Sequence, residues 1–294
     1  MAQSANPPVI PADKPQLRVS VIIPTLNEAL NLPHVLPHLP SGLHEVILVD
    51  GRSTDGTIEA ALELMPDIVV VRQTRKGKGN ALACGFLQAS GDIIVMVDAD
   101  GSTDVREIPR FVAPLLEGAE FAKGSRFRRG GHSHDITAVR RVGNWGLNTL
   151  VNVLFGTRFT DLCYGYNAFH RSALDVMDLP SIDLPAPADG SKVWGDGFEI
   201  ETLINVRVAR SGMVIDEVPS IEQPRIHGVS NLNAVTDGLR VLRIIASERL
   251  RRATDRRRVV ELPEPRPEFT RVAATPAPVG VESGVPAEAV ENTL

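Results

Sequence analysis

Cysteine is scarce in this chain of 294 residues, where Cys84 and Cys163 stand far apart in otherwise ordinary segments. Two such residues make neither a disulfide framework nor a zinc site, and they suit a reducing cytoplasm. Long apolar runs are missing as well. No segment approaches the roughly 18 to 20 apolar residues that a membrane-spanning helix needs, so the chain can touch a membrane but is not expected to cross it. Residues 1–16 are polar and proline-rich with no apolar stretch, unlike a secretory signal. Aromatic residues are only 4% of the chain, and no stacking set or groove-reading helix accompanies its arginines. A nucleic-acid partner is therefore not expected. No internal repeat stands out.

What is present is an ordinary globular composition, 43% hydrophobic and 23% charged, long enough for one large domain or two small ones. The net charge of -5 is unevenly spread, because residues 261–294 hold six Glu, two Arg and six Pro without periodicity. Such a segment has little large apolar surface to offset the entropy of ordering. The expected organisation is a disordered segment over 1–16, a folded domain over 17–258 and a disordered tail over 259–294.

Within the domain, strand and helix patterns alternate. Strands are expected at 17–24, 45–50, 68–71 and 93–97, with helices at 53–65, 79–89 and within 105–116. This β-α-β spacing predicts an α/β fold with a mostly parallel, doubly wound sheet covered by helices on both faces. The second half is less regular. It offers strands at 121–127, 167–170 and 214–218, a loop at 129–138, and helices at 142–155, 196–210 and about 232–252.

The fourth strand is the most informative. Ile93-Ile94-Val95-Met96-Val97 is apolar on both faces and ends in Asp98-Ala99-Asp100. Carboxyl ends of strands are where open α/β sheets bind ligands. Alternation along an extended chain would turn both carboxylates toward one cation. Hard oxygen ligands in so small a number suit Mg2+ or Mn2+ that also holds a diphosphate. A solvated loop with two aspartates is the competing reading.

Other polar residues collect at the same strand ends. They are Pro24, Asn27 and Glu28 after the first strand, Asp50 to Thr57 after the second, and Arg75-Lys76-Gly77-Lys78-Gly79 after the third. A basic, glycine-rich loop that opens a helix suits an anion, through close N–H groups, the helix dipole and Lys78. One sheet edge would then gather a base-binding carboxylate at Asp50, cations for phosphate and a metal-binding pair.

The ordered segments 19–28 (VSVIIPTLNE), 48–57 (LVDGRSTDGT), 76–82 (KGKGNAL), 97–102 (VDADGS), 124–126 (GSR) and 225–232 (RIHGVSNL) resemble the family-2 glycosyltransferases of GT-A fold, in particular the dolichol-phosphate mannosyltransferase-like branch. The resemblance spans about residues 17–252. It implies a nucleoside-diphosphate sugar donor, UDP- or GDP-linked, and an inverting in-line displacement. It implies that Asp50 bonds the nucleobase, that Pro24, Asn27 and Glu28 line the nucleotide pocket, and that Asp98 and Asp100 hold the metal. Arg126, Arg140 and Arg141, with Gly130-Gly131, Asn148 and Asp161, follow the order of the polyprenyl-phosphate branch, whose arginines bind acceptor phosphate and donor diphosphate. Arg225 resembles another arginine near the diphosphate. Planar guanidinium groups fit phosphate oxygens bidentately.

Several positions depart from that pattern. Asp50-Gly51-Arg52-Ser53 stands for Asp-Asp-Gly-Ser, and Ser102 stands where lipid-phosphate members often carry a metal-associated Gln. Tyr164-Gly165-Tyr166-Asn167 replaces Ser-Gly-Phe-Arg, and Asn231 replaces a Lys. These changes bear on the acceptor more than on the donor. A hydroxyl acceptor needs a general base, and Asp196 is the first candidate, with Glu199 and Glu201 behind it. Asp196 could equally be a helix N-cap, and Glu199 and Glu201 solvated helix residues. An ionised phosphate acceptor needs no base. His132 and His134 lie beside the arginines, in what reads as a surface loop.

Residues 232–258 combine leucines with many arginines, and 145–155 form an apolar helix. Each either packs onto the domain or lies on an anionic membrane. The function expected from sequence is a cytoplasmic, metal-dependent hexosyltransferase, peripheral on the inner face of the membrane if its acceptor is a polyprenyl phosphate. A small soluble hydroxyl acceptor is the closest alternative. A sugar-phosphate nucleotidyltransferase lacks its arginine-containing glycine loop here, and a non-catalytic nucleotide-sugar binder would not need both Asp98 and Asp100.

Overall fold

The first four strands of a seven-stranded sheet carry β-branched runs that are apolar on both faces and demand cover on each side. The computed structural model describes residues 17–229 and 234–251. In chain order its elements are β1 (Val19–Thr25), β2 (Glu45–Asp50), α1 (Thr57–Leu64), β3 (Val69–Arg72), α2 (Lys78–Gln88), β4 (Ile93–Met96), α3 (Ile108–Leu116) and β5 (Phe121–Ser125). They are followed by β6 (His132–Ser133), α4 (Ala138–Phe155), β7 (Asn167–His170), α5 (Leu174–Met177), α6 (Ile200–Ser211), β8 (Ile215–Pro219), β9 (Ile221–Glu222) and α7 (Ala234–Leu250). The segments 1–16 and 259–294, the domain limit at 258, and positions 230–233 and 252–258 lie outside the described residues.

The sheet order is β3-β2-β1-β4-β7-β5-β8. The first four strands are parallel, so Thr25 of β1 stands beside Asp50 of β2, and Asp50 beside Arg72 of β3. All the loops that leave these carboxyl ends therefore open on one edge. β7 is antiparallel to both neighbours, and β5 and β8 pair in parallel. A small second sheet joins β6 to β9.

Alternation along β1 divides the core. Val21 and Ile23 pack with Ile58 of α1 and Phe111 of α3. Ile22 faces the other way, with Leu82 of α2 and Leu203 of α6. Each such side chain contributes about 1.5–3 kcal/mol by leaving water. A third cluster, of Val151, Phe159, Leu162, Val206, Val241 and Ile245, clamps α4 to α6 and α7. Glu248 of α7 fixes that helix by accepting from Arg207 at 2.8 Å and Arg210 at 3.1 Å.

The doubly wound sheet agrees with the sequence reading, and of the boundaries that differ from it three bear on the site. The 129–138 loop contains β6, and α4 opens at Ala138, where the Thr137 hydroxyl accepts from the Arg140 N–H at 3.3 Å. The strand before Asp98 stops at Met96, so Asp98 and Asp100 stand on the turn that follows. Strand alternation therefore does not set both carboxylates on one face. Finally, α6 begins at Ile200 and not at Asp196, because Gly195 takes a left-handed φ of 87° and turns the chain before the helix starts.

Candidate active site

Two loops at the carboxyl edge are sewn to each other by side chains that prefer local backbone bonds. The Asn27 N–H donates to the Ser53 hydroxyl at 2.9 Å, and the Thr54 N–H donates back to Asn27 Oδ1 at 2.9 Å. The Glu28 N–H reaches the Thr57 hydroxyl at 2.9 Å and the Ala29 N–H reaches Asp55 at 3.0 Å. Asn27 holds a left-handed φ of 58°, which a short polar residue tolerates. Asp50 is 1% exposed and accepts from the N–H groups of Arg52 at 2.9 Å and Ser53 at 3.2 Å. Its carboxylate is the floor that shapes the 51–56 loop. Pro24 lies within β1 beside Val49, half-buried at the same edge.

The turn after β4 meets two cations from different elements. Lys78, the first residue of α2, places Nζ 2.6 Å from Asp98 and 2.6 Å from Glu201 of α6. Arg225 donates to Glu28 at 3.0 and 3.1 Å and stands 3.2 Å from Asp100. Asp100 also accepts from the Ser102 N–H at 2.9 Å and its hydroxyl at 2.6 Å. The segment carrying Arg225 is strapped down by backbone bonds from Gln223 to Ser102 and from Ile226 to Asp100, and by a two-way contact between His227 and Asn31.

Burial sets the electrostatics here. It would lower the Lys78 pKa, but Asp98 and Glu201 together hold the ammonium above the usual lysine range. Burial lifts the Glu201 carboxyl above its usual range despite Lys78, and Asp98 adds to the rise. Glu28 is raised by burial too, against the pull of Asn31 and Arg225. Two carboxylates sharing one cation recur on both sides of the turn.

Among the described residues no group of three or more His, Cys, Asp or Glu side chains is arranged to hold a metal by itself. Asp98 and Asp100 supply hard oxygen donors on one short turn, the donor chemistry a divalent cation takes. The remaining ligands would come from water and a bound phosphate, the coordination Mg2+ favours.

The basic loop after β3 differs from expectation. Arg75 is buried and chelates Asp196 through Nε at 2.7 Å and Nη2 at 2.9 Å. Its Nη1 donates to the carbonyls of Ser181, Ile182 and Leu184. The Gly79 N–H is spent on the Asp196 carbonyl at 2.9 Å. A side chain at Gly77 or Gly79 would collide with the backbone of Gly195 and Asp196. The glycines thus admit another stretch of this chain, and Lys78 is the cation left at the site. Asp196 presents no free carboxylate as a base and caps no helix, because Arg75 takes both its oxygens.

Arg126 also needs correction. It is buried, forks onto Asp161 at 2.7 and 3.0 Å, and donates to Glu222 at 3.0 Å. Asn144 of α4 supports Asp161 at 2.9 Å, and Ser133 bonds Glu222. This hub ties β5, α4 and β9 together, leaving Arg126 no free face for an acceptor phosphate. Arg140 pairs with Asp135 at 3.1 Å, and Arg141 is exposed on the same turn of α4. Asn148 bonds the Thr160 carbonyl and the Leu162 N–H. His132 and His134 are exposed, with ring centroids 4.5 Å apart. Glu222 carried no signal in sequence, lying in a short strand with no motif.

The family model for glycosyl transferase family 2 matches residues 20–177. Undecaprenyl-phosphate mannosyltransferase of Micrococcus luteus is 32% identical over 237 residues, covering 78% of this chain and 93% of that protein. Polyprenol monophosphomannose synthase of Mycolicibacterium smegmatis is 34% identical over 230 residues, covering 75% and 83%. Among solved structures, glucosyl-3-phosphoglycerate synthase from Mycobacterium tuberculosis in complex with Mg2+ and uridine diphosphate superposes with a TM-score of 0.58. It is 25% identical and covers 79% of this chain and 79% of that one. The sheet order, the acidic turn after β4 and these matches agree on a glycosyltransferase of GT-A fold: the chain belongs to glycosyl transferase family 2.

Proposed function

We propose that this glycosyltransferase moves a hexose from a UDP- or GDP-linked donor to the phosphate of a polyprenyl phosphate. The carrying observation is the state of the three acidic candidates before and within α6. Asp196 is locked to Arg75, Glu201 is held by Lys78, and Glu199 is buried with one oxygen on the Gly197 N–H. Asp196 and Glu201 are engaged by cations, and the Glu199 Oε2, which has no partner among the described residues, is shut away from solvent, so none of the three is an open base for a hydroxyl. An ionised phosphate acceptor is already nucleophilic and asks for no base. The names of the relatives from M. luteus and M. smegmatis point to the same acceptor class and make mannose the first sugar to test.

Asp98 and Asp100 would hold Mg2+ or Mn2+, which neutralises charge on the departing diphosphate. Asn27, Glu28 and the 51–56 loop, floored by Asp50, frame the nucleotide, with Pro24 behind them. Lys78 and Arg225 stand at the acidic turn as cations for diphosphate oxygens. Arg140 and Arg141 are the arginines open to an acceptor phosphate, and Arg126 holds their helix in place through Asp161 and Asn144.

The setting we infer is the inner face of a cytoplasmic membrane. No helix among the described residues is long and apolar enough to cross a bilayer. Yet α4 exposes Val139 at 76%, Val142 at 67%, Trp145 at 69% and Val153 at 78%. The adjacent α7 exposes Leu239, Leu242 and Leu250, and its Arg243 and Arg249 are exposed too. Apolar and basic side chains together suit an anionic lipid surface. Incubation of the full chain with UDP- or GDP-hexose, Mn2+ and polyprenyl phosphate, followed by solvent extraction, tests the reading. Labelled sugar in the organic phase supports it. Transfer only to a water-soluble glycoside, when small hydroxyl acceptors are supplied in parallel, would assign the hydroxyl-acceptor alternative, and no transfer from any donor would overturn the proposal.

A further inference from the structure

We propose that Lys78 and Arg225 are resident counter-ions of the acidic turn, and that they exchange their carboxylates for the donor diphosphate so that divalent cation and donor bind as one coupled event. The inference rests on the glycosyltransferase reading and adds how its site is loaded.

Each carboxylate of the candidate metal pair is held by its own cation. Lys78 bridges Asp98 and Glu201, at 2.6 Å to each. Arg225 bridges Glu28, at 3.0 Å, and Asp100, at 3.2 Å. Four carboxylates bridged by two cations leave the set with an excess of negative charge, which a divalent ion can meet. A metal ion arriving alone must press against the ammonium and the guanidinium that already occupy the oxygens. A diphosphate arriving alone meets the carboxylates. Arriving together, they relieve both repulsions: the two cations turn to phosphate oxygens, and Asp98 and Asp100 turn to the metal.

The second carboxylate of each pair makes that movement small. Glu201 and Glu28 are buried and remain behind as fixed tethers when Asp98 and Asp100 are released. Glu201 is accordingly a positioning residue for Lys78. The Arg225 Nε–H is buried without an acceptor among the described residues, a donor that can turn to an incoming oxygen. Coupling of this kind is reciprocal, so nucleotide must tighten metal binding by the factor that metal tightens nucleotide.

The test is calorimetric titration of Mn2+ into the full chain, alone and with saturating UDP or GDP, without turnover. Wild type should bind Mn2+ weakly alone and at least about tenfold more tightly with its nucleotide, within the usual range of coupled sites. Lys78→Gln should bind Mn2+ alone about tenfold more tightly than wild type, with the nucleotide effect reduced to a few-fold. Glu201→Gln, which leaves Lys78 to Asp98, should weaken Mn2+ binding alone. Lys76→Gln removes the same charge from an exposed position in the same loop and should change nothing. Lys78→Arg keeps the charge and should keep Mn2+ binding weak, and Asp98→Asn should erase the gain in Lys78→Gln. Unchanged or weaker Mn2+ binding by a normally folded Lys78→Gln overturns the exchange, as does tightening by Lys78→Arg. If no nucleotide binds any variant, the transferase reading fails and the donor half falls with it, while the metal-only titrations still judge the counter-ions.

Discussion

Asp196 gives both carboxylate oxygens to Arg75, at 2.7 and 2.9 Å, and each side chain is only 2% exposed. A buried pair of this kind costs most when one partner is removed. Arg75→Ala should lower stability by about 3–5 kcal/mol, because it strands Asp196 in the interior. Thermal unfolding measures that loss. Asp196→Asn should reduce Tm and turnover together, without removing a limb from the pH profile. Lost turnover at an unchanged Tm would return Asp196 to the role of base.

Asp100→Ala acts on chemistry. Its carboxylate lies at the rim of the site, so Tm should hardly move while turnover falls by about two to three orders of magnitude, the usual loss when a group facing developing charge is removed. Chelation of divalent metal should abolish wild-type turnover, and Mn2+ or Mg2+ should restore it. Full activity of Asp100→Ala would show that the acidic turn holds no metal.

The arginines of the second half should separate cleanly. Arg126→Ala leaves Asp161 and Glu222 buried without their cation and should cost about 3–5 kcal/mol. Arg141→Ala, on the exposed turn of α4, should leave Tm unchanged and raise KM for the lipid phosphate several-fold. Chemical denaturation and steady-state kinetics on both variants check the contrast. A stable Arg126→Ala protein with a raised acceptor KM would reverse the assignment.

Acid should act through Asp161. Burial alone would raise its pKa, but hydrogen bonds and charge from Arg126 outweigh that and hold the carboxyl below the usual aspartate range. The unfolded chain therefore takes up this proton first as pH falls. The stabilisation is complete above about pH 4 and is lost as pH drops from there toward the folded value. A series of Tm against pH should show the decline in wild type and a shallower one in Asp161→Asn.

Trp145→Glu should separate membrane contact from folding. The indole is exposed, so Tm should hold, while sedimentation with anionic vesicles should fall and salt should weaken what remains. Equal binding of wild type and variant would move the membrane face elsewhere.

Much of the fold was legible because β-branched runs and turn residues act locally. The parallel first half follows from apolar strands ending in Asp50 and Asp98 with helical periods between them. Less legible was whatever depends on contacts distant in sequence. Nothing near Arg126 signals that Glu222, in a two-residue strand, will neutralise it. Nothing near Arg75 signals that residues 181–196 will fold back over it. The glycines of 77–79 allow close approach, and the visitor is the chain itself. Glu201 looked like any acidic residue of a helix, and only α6 packing beside α2 brings it to Lys78.

That close approach bears on engineering. Gly77 and Gly79 lie flush against Gly195 and Asp196, and Arg75 gathers three carbonyls from 181–184. The two segments form a lock and its matching key, cut to each other with no spare room. Grafting a foreign 181–196 segment should fail unless residues 75–79 of the same source travel with it, whereas exchanging both as a cassette should preserve the scaffold.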